Sequence, residues 1–80
     1  MTSPHISAAR AAEARAVDHA RHGRHFRAGV EYAQAAAEWN KAEVDADRAG
    51  DAALVAVCIA ERDQKRRKAQ DAVDAEWRDA

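Results

Sequence analysis

Two glycines divide this chain into three segments of helical length. Gly23 and Gly50 separate the segments, and the only proline, Pro4, lies near the N-terminus. Glycine adopts a positive φ angle without steric cost, so it is favoured just after a helix. Proline is tolerated in the first helical turn. The spacing therefore predicts three helices with tight turns between them, at about residues 4–22, 24–49 and 52–78.

The composition indicates an all-α fold. The chain contains 23 alanines and 10 arginines, and both residue types are strong helix formers. Few residues are β-branched, which argues against strands. Eighty residues suffice for one domain. We therefore predict a single domain over residues 1–80, folded as a three-helix antiparallel bundle in which the third helix packs along both others. The Ala and Arg bias is also typical of a high-GC, actinobacterial-type genome or phage.

The middle segment has the widest apolar surface. Its helical spacing predicts an inner stripe that faces the core and a flanking stripe beside it. Gly29 in the flanking stripe costs about 1 kcal/mol relative to Ala, which a close helix approach would explain. The run 52–60 is apolar almost all round, so we expect it to be buried. The inner stripe consists of Phe26, Val30, Ala33, Ala37 and Val44, and the flanking stripe of Gly29, Tyr32, Ala36 and Trp39.

Charge and cysteine content exclude several classes of protein. A formal net charge of −1 gives no general attraction to nucleic acid or to an anionic membrane. The single cysteine, Cys58, cannot form an intrachain disulfide and suits a reducing compartment, so a cytoplasmic location is expected. We interpret Cys58 as a buried small apolar residue and not as a nucleophile. The longest apolar run has nine residues, too few to span a bilayer.

Three histidines lie close together around the first turn. His19, His22 and His25 are spaced three residues apart, and imidazoles at that spacing can bind a transition metal. Gly23 interrupts the helix between them, however, and no further ligand completes a tetrahedron. Histidines at a helix end on the surface are the favoured interpretation. No metal and no cofactor is therefore predicted.

A basic cluster in the third segment has two interpretations. It could contact phosphates and so bind nucleic acid. The same helix also contains acidic residues at the spacing of ion pairs, such as Glu61–Lys65 and Arg67–Asp71, which indicates a solvated and internally paired face. This second interpretation is favoured, because no aromatic side chain is interleaved for base stacking. The cluster consists of Arg62, Lys65, Arg66, Arg67 and Lys68.

Val73 and Trp77 continue an apolar stripe into the charged C-terminal part of the chain. Because the first helix is shorter than the third, these two residues can form an exposed docking edge. The alternative is that Trp77 packs onto Ile6 and Ala9 in the first helix. We predict the partner-binding residues to be Tyr32, Trp39, Val73 and Trp77.

The segment GRHFRAGVEYAQAAAEW resembles the glycine, aromatic and alanine signature of helical hairpins in the tetratricopeptide class. Three helices with a tight glycine turn after the first also resemble the microtubule-interacting-and-trafficking domain, over about residues 8–73. This resemblance implies a three-helix bundle that binds a short helical peptide in a groove. The chain has Ala33, Ala36 and Ala37 where that family has bulky residues.

These observations predict a non-enzymatic protein–protein interaction module. The module would self-associate, for example as a homodimer, or bind a partner helix through its alanine-rich grooves and exposed aromatic edges. The alternative is a nucleic-acid-associated protein that uses the basic part of the third helix. Membrane association and enzymatic activity are not expected.

Overall fold

Three helices form the whole of the described structure. The computed structural model describes residues 3–79, with side chains to residue 78. Each predicted helix is present with its boundaries shifted by at most one residue, so the all-α three-helix fold is confirmed. The helices are α1 (Pro4–Arg21), α2 (His25–Arg48) and α3 (Ala52–Asp79).

The helix ends follow the local sequence. Ser3 is the N-cap of α1, and its Oγ accepts a hydrogen bond from the backbone N–H of His5 at 3.2 Å. Thr2, the other hydroxyl residue before Pro4, lies outside the described residues. Asp51 caps α3 by accepting a bond from the Leu54 N–H at 3.1 Å. Gly23 and Gly50 have φ angles of 70° and 72°, the left-handed conformation that ends a helix.

The central helix is α2, and it packs against α1 on one side and α3 on another. Direct packing between α1 and α3 is sparse. The third helix therefore packs mainly along α2, which corrects the prediction that it packs along both others. One face of the α2–α3 pair stays open, because residues of α2 and α3 alone line a groove there. The Cα atoms span 46 × 17 × 13 Å, which describes an elongated bundle.

Alanine and two aromatic residues build the core. One cluster, near the start of α1, joins all three helices, and the other lies nearer the first turn. Because alanine side chains are short, the helix backbones approach closely. Each alanine buries little apolar area. The first cluster contains Ile6, Ala9, Trp39, Ala42 and Cys58. The second contains Ala16, Ala28 and Tyr32, with Ala69 and Ala72 packed against it.

The two stripes of α2 are exchanged relative to the prediction. Phe26 and Val30, which we expected in the core, are 66% and 52% exposed. The flanking stripe, with Tyr32 and Trp39, is buried instead. Both stripes are apolar, and the flanking stripe holds the two larger aromatic side chains, each of which buries about 150–250 Å². Ala33, Ala37 and Val44 are likewise exposed.

The apolar run 52–60 is mostly not buried, which corrects the second core prediction. Cys58 is the one residue of the run that is fully buried, and Val57 is 50% exposed. The reason is the arrangement of the helices: α3 packs mainly against α2, and a helix with one main neighbour buries one stripe.

Candidate functional site

An apolar groove runs between α2 and α3 on the open face of the bundle. It encloses about 490 Å³, and its lining residues come from these two helices alone. We call it the α2/α3 groove. Its lining consists of Phe26, Gly29, Val30, Ala33, Ala36, Ala37, Arg66, Ala69, Gln70 and Val73.

Small residues form the floor of the groove. A Cβ atom placed on Gly29 would lie 3.5 Å from the Ala69 carbonyl oxygen and 3.5 Å from the Ala72 Cβ. The two helices therefore meet closely at this point, as expected, yet the distance is an ordinary van der Waals contact. Larger side chains stand on either side, with Phe26 and Val30 on α2 and Val73 on α3. The result is a shallow channel with an apolar floor and apolar walls.

Trp77 lies one turn beyond Val73 on α3, near the end of the α2/α3 groove. Its side chain is 78% exposed, and that of Val73 is 40% exposed. The alternative in which Trp77 packs onto Ile6 is wrong. Because α1 and α3 both run opposite to α2, Trp77 lies beside the C-terminal end of α1, whereas Ile6 lies at its start. Ile6 packs instead with Trp39 and Cys58.

Tyr32 and Trp39 lie in the core, so they do not form exposed aromatic edges as predicted. Their exposed fractions are 9% and 3%. The Lys68 ammonium lies 5.5 Å from the centre of the Tyr32 ring, within the range of a cation–π contact. The Trp39 indole N–H is buried without a hydrogen-bond partner. Among the described residues, the exposed part of the predicted partner-binding set is therefore Val73 and Trp77.

Arg62 lies one helical turn before the groove residue Arg66 and crosses from α3 to α2. Its Nη1 donates to Glu43 Oε2 at 2.9 Å and to Asn40 Oδ1 at 3.2 Å, and its Nε donates to Asp63 Oδ1 at 3.2 Å. The guanidinium is thus occupied by two carboxylates and an amide.

The five residues of the predicted basic cluster do not share one surface. Arg62 is bound across α2, Lys65 is buried, and Lys68 lies over the Tyr32 ring. Arg66 lines the groove, and Arg67 is exposed. The cluster is therefore continuous in sequence but divided over several sides of the helix.

Lys65 is held between two carboxylates. Its Nζ lies 3.1 Å from Glu13 Oε1 on α1 and 2.8 Å from Glu61 Oε2 on α3, and it also donates to Gln64 Oε1. Burial by itself lowers the pKa of the Lys65 ammonium, but the bonds to Glu61 and Glu13 outweigh it and the net pKa is raised. The predicted Glu61–Lys65 pair is confirmed. The predicted pair between Arg67 and Asp71 does not form within the described side chains.

A second polar link joins α1 to α2, and the sequence interpretation missed it. His5 Nδ1 lies 2.7 Å from Glu38 Oε2, and His5 Nε2 lies 3.9 Å from Asp45 Oδ2. Glu38 is 8% exposed. The bond to His5 lowers the pKa of Glu38, burial opposes this, and Lys41 lowers the pKa further. The sequence signal for this link was the carboxylate of Glu38, which lies among the buried residues of α2 and therefore needs a polar partner.

The histidines at the first turn bind neighbouring protein groups. His22 Nδ1 lies 2.8 Å from the Asp18 carbonyl oxygen, and His19 Nδ1 accepts from Arg24 Nε at 2.9 Å. No group of three or more His, Cys, Asp or Glu side chains is arranged to hold a metal ion in the described part of the chain. Burial, with smaller contributions from Glu43 and Asp51, raises the pKa of the Cys58 thiol. A higher pKa disfavours the reactive thiolate.

Comparisons with protein-family models, with curated proteins and with solved structures find no match to this chain. The resemblance to the tetratricopeptide and microtubule-interacting-and-trafficking families therefore has no support beyond the three-helix all-α architecture. None of the helices in residues 3–79 is long and apolar enough to cross a membrane.

Proposed function

We propose that this chain is a non-enzymatic protein–protein interaction module whose α2/α3 groove receives a helix from another chain. The observation that carries the proposal is the exposed apolar lining of the groove, above all Phe26 at 66% exposure and Val30 at 52%. Contiguous exposed apolar surface on a small protein is typical of an interaction site.

The shape and spacing of the groove favour a helix as the occupant. Phe26, Val30, Ala33 and Ala37 follow the i, i+4, i+7, i+11 pattern along one side of α2, which is the pattern of a helix–helix contact. The floor contains glycine and alanine, so another backbone can approach closely. The aromatic side chains of Phe26 and Trp77 at one end supply the large anchors that dominate binding energy in interfaces.

Protein binding is favoured over nucleic-acid binding by the distribution of positive charge. Arg62 and Lys65 are bound to carboxylates, which leaves Arg66 and Arg67 as the exposed arginines in this part of α3. Phosphate contacts would require several free cations on one surface and would weaken steeply with salt. The polar groups of the groove lining are Arg66 and Gln70, a pair without a nucleophile or a general base.

Two exposed valines provide a matched test. Val30 lies in the groove and is 52% exposed, whereas Val57 lies outside it and is 50% exposed. Light scattering over a concentration series measures the mass of the chain. In a second experiment, the chain at low concentration is used to select amphipathic helices from a displayed peptide library. We expect the chain to self-associate or to capture a helix. Val30→Asp should abolish this binding, and Val57→Asp should leave it unchanged. Circular dichroism confirms that both variants are folded.

Two results would overturn the proposal. One is a chain that stays monomeric and captures no helix from the library. The other is binding that both valine variants lose or retain equally. Binding that falls steeply as the salt concentration rises, and that Arg66→Ala and Arg67→Ala abolish together, would favour the nucleic-acid alternative instead.

A further inference from the structure

We infer that the helices received by the α2/α3 groove are those of a second copy of this chain, in a dimer with its two-fold axis parallel to the helices. This inference rests on the proposed function, because it names the partner of the same groove. In the dimer, α2 of each copy packs on α3 of the other. The four helices form a bundle in which every neighbouring pair is antiparallel.

Charged residues of opposite sign lie along the two outer edges of the groove. On α2 the outer edge carries Arg27 and Lys41, which are two heptads apart and therefore share a side of the helix. On α3 the outer edge carries Asp63 and Asp74, which are three helical turns apart. All four side chains are exposed. The α2 edge is therefore basic, and the α3 edge is acidic at two points.

The register of the two helices places these charges at matching heights. Arg27 lines the same surface depression as Glu76, two residues after Asp74. Near Lys41, the neighbouring Asn40 is bonded by Arg62, which precedes Asp63. A two-fold axis parallel to the helices keeps heights unchanged and lays α2 on α3 of the second copy. Each Arg27 then faces Asp74 of the second copy, and each Lys41 faces Asp63 of the second copy.

Spacing along the helices allows both pairs to form together. Arg27 and Lys41 are about 21 Å apart along α2, and Asp63 and Asp74 are about 17 Å apart along α3. Long Arg and Lys side chains span the difference. Asp74 already accepts from Gln70, Asp63 from Arg62, and Lys41 donates to Glu38. A carboxylate and an ammonium can each bond to more than one partner.

The remaining charges on this face are compatible with the arrangement. Arg67, on the acidic edge, comes level with the uncharged Gln34 of the second copy. Arg66 lines the groove and is itself exposed. Its aliphatic stem can cover apolar surface while the guanidinium stays in water.

The other face-to-face two-fold arrangement is disfavoured by charge. An axis perpendicular to the helices would lay α2 on α2 and α3 on α3. The basic edge would then meet the basic edge of the second copy, and the acidic edge would meet the acidic edge. Like charges placed together across an interface are destabilising. Electrostatics therefore selects the parallel axis.

The available area predicts a dimer that dissociates on dilution. Between positions 26 and 44 the face is about 27 Å long, and two helices are about 20 Å wide, so roughly 540 Å² is covered on each copy. A standard interface covers about 800 Å² per partner. The aromatic end adds Phe26 against Val73 and Trp77 of the second copy.

Charge-reversal variants test the inference. Light scattering and sedimentation over a concentration series give the mass and the dimer dissociation constant. We expect a mass that rises toward twice the chain mass of 8.7 kDa. Arg27→Asp and Asp74→Arg should each weaken the dimer about tenfold, because each reverses two symmetry-related pairs. The double variant should restore the dissociation constant to within about threefold. Arg10→Asp, an exposed change on α1, should have no effect.

The outcomes separate this inference from the proposed function. A chain that stays monomeric while it captures displayed helices would overturn the second copy as the partner and leave the groove as a binding site. A dimer that the single reversals do not weaken, or that the double variant does not restore, would overturn the arrangement. A monomer that captures no helix would overturn both.

Discussion

Lys65 on α3 and Glu13 on α1 form an ion pair of 3.1 Å between helices that otherwise scarcely touch. The lysine is 1% exposed, and Glu61 provides a second carboxylate at 2.8 Å. In a core made largely of alanine, the long lysine side chain also fills space that a larger apolar residue would otherwise occupy. Lys65 thus contributes packing and an electrostatic link at once, and substitutions can separate the two contributions.

Lys65→Ala should destabilise the bundle by about 3 kcal/mol, and Lys65→Met by less than about 1 kcal/mol. Alanine removes the buried side chain and leaves a cavity. Methionine keeps the volume and removes the buried charge. Losing one partner of an ion pair is costly when the other stays buried, but Glu13 and Glu61 are partly exposed and can regain water, which limits the cost. Urea unfolding followed by circular dichroism gives both free energies. Equal losses in the two variants would contradict a packing role.

The same lysine should make stability fall at alkaline pH. Its pKa is raised in the folded chain above the ordinary value of 10.5. A raised pKa means that the charged lysine stabilises the folded state. This contribution is complete at pH values below the pKa of the unfolded chain, and it is lost as pH rises through the pKa of the folded chain. The difference in unfolding free energy between the wild type and Lys65→Met should therefore change between pH 10 and pH 12 and stay constant from pH 7 to pH 9. A constant difference up to pH 12 would contradict the raised pKa.

His5→Ala should reduce the contribution of Glu38 to stability. It should also make the free energy of unfolding depend less on pH in acid. His5 is the largest cause of the lowered pKa of Glu38, whose ordinary value is 4.5. A lowered pKa means that the charged carboxylate stabilises the folded state. This contribution is complete at pH values above the pKa of the unfolded chain, and it is lost as pH falls through the pKa of the folded chain. The wild type should lose stability more steeply than His5→Ala below about pH 4.5. Parallel pH curves for the two proteins would disprove this account, and Arg10→Ala on the exposed face of α1 serves as the control.

Gly29→Ala should stabilise the bundle by about 0.5–1 kcal/mol. Glycine inside a helix is that much less favourable than alanine, and the added Cβ would make ordinary contacts of 3.5 Å with Ala69 and Ala72. Gly23→Ala is the contrasting variant. Its φ angle of 70° is left-handed, so the substitution should cost about 1 kcal/mol or more. Thermal unfolding of both variants measures the difference, and a less stable Gly29→Ala would show that α2 and α3 are closer than described.

The sequence predicted the helices well because glycine, proline and capping residues act locally. Ser3, Asp51 and the two turn glycines each decide a helix end within a few residues of themselves. The choice of core stripe on α2 depends instead on where α1 and α3 lie. Both stripes are apolar and interleaved with alanine, which is compatible with either side. A pattern with two acceptable solutions does not reveal which one the neighbouring helices select.

The polar links and most of the groove could not be predicted for a related reason. Glu13 and Lys65 are 52 residues apart in the chain, and His5 and Glu38 are 33 apart. Apart from the position of Glu38 among the apolar residues of α2, nothing in the local sequence distinguishes these residues from their exposed neighbours. The sequence does predict the exposed end at Val73 and Trp77, because an apolar pair stands out in a charged segment. Phe26 and Val30 complete the groove only after the core stripe is known to lie elsewhere.

The alanine core determines how the protein responds to mutation. Ala9, Ala12 and Ala16 on α1 are completely buried, and each is already as small as a side chain with a Cβ can be. Alanine scanning, which ordinarily identifies core residues, changes nothing at the 23 positions that are already alanine. Sensitivity lies instead in enlargement, because a larger side chain at one of these fully buried alanines would overpack the contact between two helices. In sequence drift, exposed positions outside the α2/α3 groove and its charged edges should change more readily than these buried alanines.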